Sequence, residues 1–248
     1  MDDELHILHR DQRLVAIAKP AGLLVHRTQL DAQEERAALQ LLRDQLGQPV
    51  WPVHRLDKGT SGVLLFALDA DMASLAGQAF DRGEVRKRYL ALVRGWPAED
   101  AGQIDHPLAR DPEKPSAGQP LLEARTAWQV LARAEWPLAT DPRFATSRYA
   151  LLELRPETGR RHQIRRHLKH IAHPIVGDAT HGKGPLNRAV AAHLGLQRLW
   201  LHALELQIRH PESGEALVLS ASPGPEWSGL QGLAIVLQSI TRSTRPEA

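Results

Sequence analysis

The chain has 248 residues, 42% hydrophobic and 24% charged, the balance of a globular protein with room for one large domain or two small ones. It has no cysteine, no apolar run long enough to span a membrane and an acidic start, Met1-Asp2-Asp3-Glu4; disulfides and thiolate-bound metals are excluded, and the cytoplasm is the expected compartment. The net charge is only +2, yet 25 of the 31 basic residues are arginine, whose planar fork suits phosphate, though a GC-rich coding sequence would give the same bias.

In chain order, Arg13 to Ala18 (RLVAIA) predicts a short buried strand, stopped by Lys19-Pro20-Ala21-Gly22. Asp31 and Glu34 have the spacing of a capping box, and Ala38, Leu41, Leu42 and Leu46 then keep helical spacing as far as Gly47. Gly62 to Leu68 is short, apolar and flanked by turn residues, which predicts a strand. Asp71 is placed to cap a second helix with Met72, Leu75, Ala76, Ala79 and Phe80 on one face and Gly83 at its end. Arg88 to Val93 predicts a strand, and Asp111 to Gln119, rich in proline, charge and glycine, an exposed loop. Arg148 to Leu154 and Leu199 to Ile208 are further strands, with a helix over about 161–171 between them. Thr241 to Ala248 is polar and reads as a frayed tail.

Strands and helices alternate early and strands dominate later, without a repeated βα unit. That predicts a single α+β domain over residues 1–240, a mixed, mainly antiparallel central sheet flanked by helices and loops. Basic charge is concentrated in two places. Arg82, Arg86, Lys87, Arg88 and Arg94 stand against the single acid Glu84, and Arg160, Arg161, Arg165, Arg166 and Lys169 stand against none. Two such clusters on a nearly neutral chain suggest one positive face for a polyanion, although a solvated basic face would look the same. Arg161, Arg165 and Lys169 recur every four residues and would share a helix face, with Ile164, Leu168 and Ile171 on another.

The densest chemical signal is Val53 to Gly62 (VHRLDKGTSG), which packs His54, Arg55 and Asp57 into four residues ahead of a buried strand. Glycines and small hydroxyls let such a backbone turn tightly and approach a ligand. A carboxylate on a loop braced by a strand is well placed for catalysis. The plainer reading is that Asp57 caps a turn or pairs with Arg55.

The string HRLDKGTSGVLLFA, from His54 to Ala67, resembles the signature of the RluA-type pseudouridine synthases. KPAGLLVH from Lys19, RKRYLALVRG from Arg86, LELRPETGRRHQIR from Leu152, HPIVGD from His173 and LHA from Leu201 resemble that family's other motifs, in the same order. The resemblance implies a pseudouridine-synthase catalytic domain that converts a uridine of RNA to pseudouridine without cofactor or metal. It implies Asp57 as the catalytic carboxylate and Arg165 as the cation that keeps it ionised. Tyr89 would stack on the flipped uracil or assist a proton transfer, and Arg55 would fill the space the base leaves. A half-buried strand position is the alternative account of Tyr89. Lys19, His54, Arg88, Arg160, Arg161, His162, Gln163 and Ile164 lie in the matching strings and are expected to contact substrate or RNA.

By this resemblance the chain is expected to start at the first catalytic strand, without an N-terminal RNA-binding module. LVHRT from Leu24 and HLGLQRLWLHA from His193 are most similar to tRNA-modifying members, which implies uridine 65 of tRNA as target and an rRNA stem-loop as the alternative. His162, His167, His170 and His173 invite a metal reading. The five-residue step from His162 to His167 points the rings apart, however, and no HExxH pattern is present. Two rivals stand beside the enzyme reading. A non-catalytic RNA-binding protein would be free to lose Asp57, Tyr89 and Arg165, all of which are present. A metal-dependent phosphoesterase would need a carboxylate cluster that the sequence lacks.

Overall fold

A computed structural model describes residues 4–26 and 36–243. Its elements begin with β1 (Ile7–Arg10), β2 (Leu14–Lys19), α1 (Ala38–Leu46), β3 (Trp51–Pro52), β4 (Ser61–Ala67), α2 (Ala70–Asp81) and β5 (Arg86–Arg94). There follow β6 (Ala101–Asp105), β7 (Leu108–Ala109), β8 (Leu121–Leu122), β9 (Arg125–Trp136), β10 (Ser147–Pro156), α3 (Gln163–His170) and α4 (Gly184–Leu194). Then come β11 (Leu201–Arg209), β12 (Ala216–Ser220), α5 (Pro225–Ser228) and α6 (Ala234–Ser243). The described residues fall into two compact units: those up to Lys87 with Ala203–Ser222, and Arg88–His202 with those from Pro223 on. Among them, no helix is long and apolar enough to cross a membrane.

In the first unit the strand order is β1-β2-β4-β11, with β12 beside β11 and β3 against β4. β2 and β4 pair antiparallel from Leu14 opposite Ala67 to Lys19 opposite Gly62. Every residue of β4 is buried, which is why its sequence is apolar without alternation. Leu14, Val63 and Leu65 share a core with Met72 and Ala76 of α2 and with Leu206 and Leu219. The α2 cap is Asp69, not Asp71. Asp69 has the extended backbone a cap requires, accepts the Met72 N–H at 2.8 Å and pairs with Arg13 at 2.7 Å. Leu75 is exposed, so the buried face of α2 is Met72, Ala76 and Ala79. α1 ends at Gly47 in the left-handed conformation, as its spacing predicts. It starts behind Ala37 with no side-chain cap; Asp31 and Glu34 lie outside the described residues.

In the second unit the order is β5-β10-β9-β6, and β7 and β8 form a separate small hairpin. β10 pairs with β5 from Tyr149 opposite Arg94 to Leu154 opposite Tyr89, and with β9 from Ser147 opposite Trp136 to Pro156 opposite Thr126. A bulge interrupts the second ladder: Leu151 faces Ala132 and Leu152 faces Val130, which leaves Leu131 as the extra residue. Trp136 stacks on Tyr149 at 4.3 Å, and Trp200 meets Trp227 edge-on, all four rings buried. Both units are α+β, and the strand pairs of described register are antiparallel, in line with the predicted class.

One further expectation needs correction. α3 begins at Gln163 rather than Arg161, because His162 takes the left-handed φ of 54° and turns the chain just before the helix. Arg161 is therefore off the helix, and the expected stripe does not form: Arg165 is buried while Arg161 and Lys169 are exposed. α6 runs to Ser243, and the Thr241 hydroxyl donates to the Leu237 carbonyl at 2.9 Å.

Candidate active site

In the first unit, the chain between β3 and β4 carries Asp57 at the start of a tight turn, closed by the Thr60 N–H on the Asp57 carbonyl at 3.0 Å. Leu56 is buried beneath it, while Arg55 is exposed and Asp57 half-buried. Three contacts hold this turn. The Gly22 N–H donates to the Lys58 carbonyl at 2.8 Å. Lys19 is 1% exposed, and its ammonium donates to the carbonyls of Pro20 at 2.9 Å, Leu23 at 2.7 Å and Lys58 at 3.2 Å. An ammonium satisfied by three carbonyls ties the KPAGLL segment to the Asp57 turn; Lys19 thus braces the site from beneath.

The third contact is His54. Its Nε2 accepts the Leu65 N–H at 3.1 Å, and its ring stacks on Phe80 at 4.7 Å. A ring nitrogen that accepts a backbone N–H carries no proton, so the tautomer is set with hydrogen on Nδ1. Burial and the nearby Lys87 charge push the His54 pKa down to about 3, against the hydrogen bond to the Arg55 backbone, which pulls the other way. Burial likewise lowers Lys87 to about 8. His54 is a neutral strut between β4 and α2. At the start of β4, Gly62 has φ +113°, and a Cβ there would lie 2.1 Å from the Ala203 carbonyl oxygen, so only glycine fits.

In the second unit, Tyr89 is half-buried on β5 opposite Leu154 of β10. Its neighbour Arg88 gives Nη2 to Glu153 at 2.7 Å, a buried carboxylate that Arg155 also holds at 2.6 Å. The segment leading into α3 is fixed by Gln163, which is buried. Its Oε1 accepts from the Thr158 hydroxyl at 2.7 Å and the Arg160 N–H at 2.9 Å, and its Nε2 donates to the Arg125 carbonyl at 2.9 Å and to Thr126 at 3.0 Å. Ile164 is buried and packs inward. Arg160 donates to the Glu123 carbonyl at 2.9 Å, and Arg161 pairs with Glu113 and Asp111.

Arg165 is buried and donates from Nε and Nη2 to the two oxygens of Asp178, each at 2.8 Å. Burial pushes the Asp178 carboxyl up, but the Arg165 fork, the His181 N–H and the Arg165 charge outweigh it and hold the group below the usual carboxylate range. The carboxylate sits on a turn that requires glycine. Gly177 has φ +79°, and a Cβ there would fall 1.7 Å from the Arg198 carbonyl oxygen. Asn187 steadies the same turn, accepting the Gly177 N–H at 3.1 Å and donating to the Asp178 carbonyl at 2.8 Å. The His181 ring shares a hydrogen with His162 Nδ1 at 3.1 Å. Burial and the Arg165, His162 and Lys169 charges lower His181 to about 4, despite Asp178.

The four histidines of the metal reading go to separate partners. His162 meets His181, His167 meets Thr126 and the His106 carbonyl, His170 stacks on His106, and His173 meets the Arg94 carbonyl. Among the predicted residues, the structure joins Lys19 and His54 to the Asp57 turn in one unit and Arg160 through Arg165 in the other. Asp178 and Asn187 were missed as partners. The only signal for Asp178 was its place in the HPIVGD string, and nothing local marked Asn187.

Residues 13–170 match the family model described as RNA pseudouridylate synthase. The chain is 48% identical over 231 residues to the tRNA pseudouridine synthase C of Vibrio cholerae, covering 91% of this chain and 94% of the relative. It is 47% identical to that of Haemophilus ducreyi, covering 92% and 94%. Among solved structures it is similar to human RNA pseudouridylate synthase domain containing 1, with TM-score 0.71, 26% identity and coverage of 99% and 98%. Human RNA pseudouridylate synthase domain containing 4 gives 0.66, 28%, 96% and 93%. An aspartate turn braced from below, an arginine held in a carboxylate fork and a match over most of the chain converge on one conclusion: this chain belongs to the RNA pseudouridylate synthase family.

Proposed function

We propose that this chain isomerises a uridine of tRNA to pseudouridine, at position 65, with Asp57 as its catalytic carboxylate. The reaction breaks the N1–C1′ bond, turns the base and forms a C5–C1′ bond; the hydrogen at C5 leaves as a proton and N1 gains one. Substrate and product are isomers, so no oxidant or group donor is consumed. The ionised Asp57 attacks sugar or base, or takes a proton from the sugar. Tyr89 supplies a ring for the uracil or a hydroxyl for proton transfer, and Arg165 supplies positive charge to the reaction. Arg55, exposed beside Asp57, fills the space of the extruded base.

The observation that carries this reading is the support given to one turn. A buried lysine links the KPAGLL segment to it with one of its three hydrogen bonds, and a neutral histidine ties its approach to β4 and α2. A turn with no task beyond reversing the chain needs neither. Similarity to tRNA pseudouridine synthases C over nine-tenths of the chain supports tRNA as substrate.

The test is tritium release from a tRNA transcript labelled at C5 of its uridines, followed by mapping of the product. Release by the wild type and none by Asp57→Asn, with RNA binding kept, is the expected result. Equal release by Asp57→Asn would remove Asp57 from the reaction, and a product mapped elsewhere would remove position 65.

A further inference from the structure

The arginine-rich segment Arg160–Arg166 reads in sequence as a face for phosphate, yet three of its arginines reach the single stretch that carries β7 and β8. Arg166 donates to the Ala109 carbonyl at 2.9 Å, Arg160 to the Glu123 carbonyl at 2.9 Å, and Arg161 to Glu113, with Asp111 at 3.7 Å from its Nη1. Two of these contacts fasten the base of the hairpin through neutral carbonyls. The third sets two carboxylates against a guanidinium whose side chain is 39% exposed.

The acids are held for this contact by the loop itself. Gln119 accepts the Asp111 N–H at 2.7 Å and donates to the carbonyls of Asp111 at 2.9 Å and Pro115 at 2.9 Å, and the Asp111 carboxylate accepts the Glu113 N–H at 3.1 Å. Lys114 is the other cation at the pair, 3.6 Å from Asp111. Carboxylate and phosphate are the same class of acceptor for an arginine fork, so both cannot use the same donors of Arg161. Exposed ion pairs of this kind are weak, each worth at most about fivefold in an equilibrium, and a phosphate can replace them.

We propose that Asp111 and Glu113 occupy Arg161 in the RNA-free protein and so hold down its affinity for RNA, because an RNA phosphate reaches this guanidinium only by displacing them. The proposal rests on the RNA reading given above. Its consequence is that the enzyme binds polyanions less tightly than its arginines alone would allow, and that the cost falls on any RNA that uses Arg161.

The test is a cycle of four proteins: wild type, Asp111→Asn/Glu113→Gln, Arg161→Ala, and the triple variant. Each is titrated by fluorescence anisotropy with a tRNA transcript and with a uridine homopolymer at several salt concentrations. The acid-to-amide pair should tighten both RNAs by about 3- to 10-fold at low salt and steepen the salt slope by about one counterion. In the Arg161→Ala background the same two substitutions should change nothing. Unchanged or weaker binding by the acid-to-amide pair would overturn the proposal. A gain that survives Arg161→Ala would overturn it as well, since net charge alone would then explain the effect. If the wild type binds neither RNA, the RNA reading falls and takes this proposal with it.

Discussion

Arg165 and Asp178 face each other edge to edge, Nε and Nη2 each 2.8 Å from a different carboxylate oxygen, with the aspartate 1% and the arginine 8% exposed. The fork fixes the plane of the guanidinium, so the direction of its remaining donors is set by Asp178. Removing one partner of such a buried pair takes from the other charge its fork of hydrogen bonds. Asp178→Ala should therefore cost about 3–5 kcal/mol in urea unfolding at neutral pH. A loss within experimental error would show that the pair is far better solvated than its burial implies.

The same carboxylate has an acid signature. Its folded pKa lies below the unfolded value of about 3.9, so its contribution to stability is complete above that value and lost as pH falls through the lower folded value. Asp178→Asn should flatten this part of the stability curve, below about pH 4. Chemical denaturation across that window reads it directly.

His54 works in a different window. Its folded pKa, about 3, lies below the ordinary 6.5, so between those values the unfolded chain binds a proton that the folded one refuses. Stability should fall as pH drops from 6.5 toward 3, by up to about 1.4 kcal/mol per pH unit. His54→Gln, whose amide oxygen can still accept the Leu65 N–H, should weaken that slope. It should leave the shape of the pH–rate profile between pH 5 and 8 unchanged, because the native ring stays neutral there. A limb of that profile lost in the variant would assign His54 a proton-transfer role instead.

Lys19 gives three hydrogen bonds to carbonyls and stands beneath the Asp57 turn. Lys19→Met should destabilise by about 2 kcal/mol or more and lower kcat, with RNA affinity kept within about twofold because no phosphate contact is lost. A large fall in affinity with kcat intact would make it a direct RNA contact.

Gly62 and Gly47 separate the two costs of replacing a glycine. Both have positive φ, but a Cβ at Gly47 meets nothing within 4 Å, whereas one at Gly62 meets the Ala203 backbone. Gly47→Ala should cost about 1 kcal/mol, the conformational term alone. Gly62→Ala should cost at least about 2 kcal/mol more, because backbone must move. Thermal unfolding of the two variants side by side reads the difference.

The parts of the fold legible in sequence are those in which one strand or helix meets a single kind of surroundings. β4 is buried on both faces and reads as an apolar run, and α1 shows its spacing and its terminal glycine. β9 was missed because its twelve residues mix arginine, glutamine and tryptophan, a composition set by partners on β6 and β10 and not by local preference. The Asp57 turn was legible through its motif. The role of Lys19 was not, because carbonyl acceptors leave no mark in a sequence. The Arg161 stripe was misread because no residue type announced that His162 would turn left-handed. Asp178 escaped as the partner of Arg165 because the pair forms only once the Gly177 turn is built.

The extra residue Leu131 has a consequence for how this protein can change over time. In a regular strand Thr126 and Trp136, an even number of positions apart, would point the same way; the bulge between them reverses the parity. Thr126 therefore lies under α3, where it meets Gln163 and His167, while Trp136 lies on the opposite face against Tyr149 and His193 of α4. Deleting that one residue would turn one of these two buried side chains toward the wrong layer, so single-residue insertions and deletions should be purged from the middle of β9 while its hairpin tip drifts freely in length.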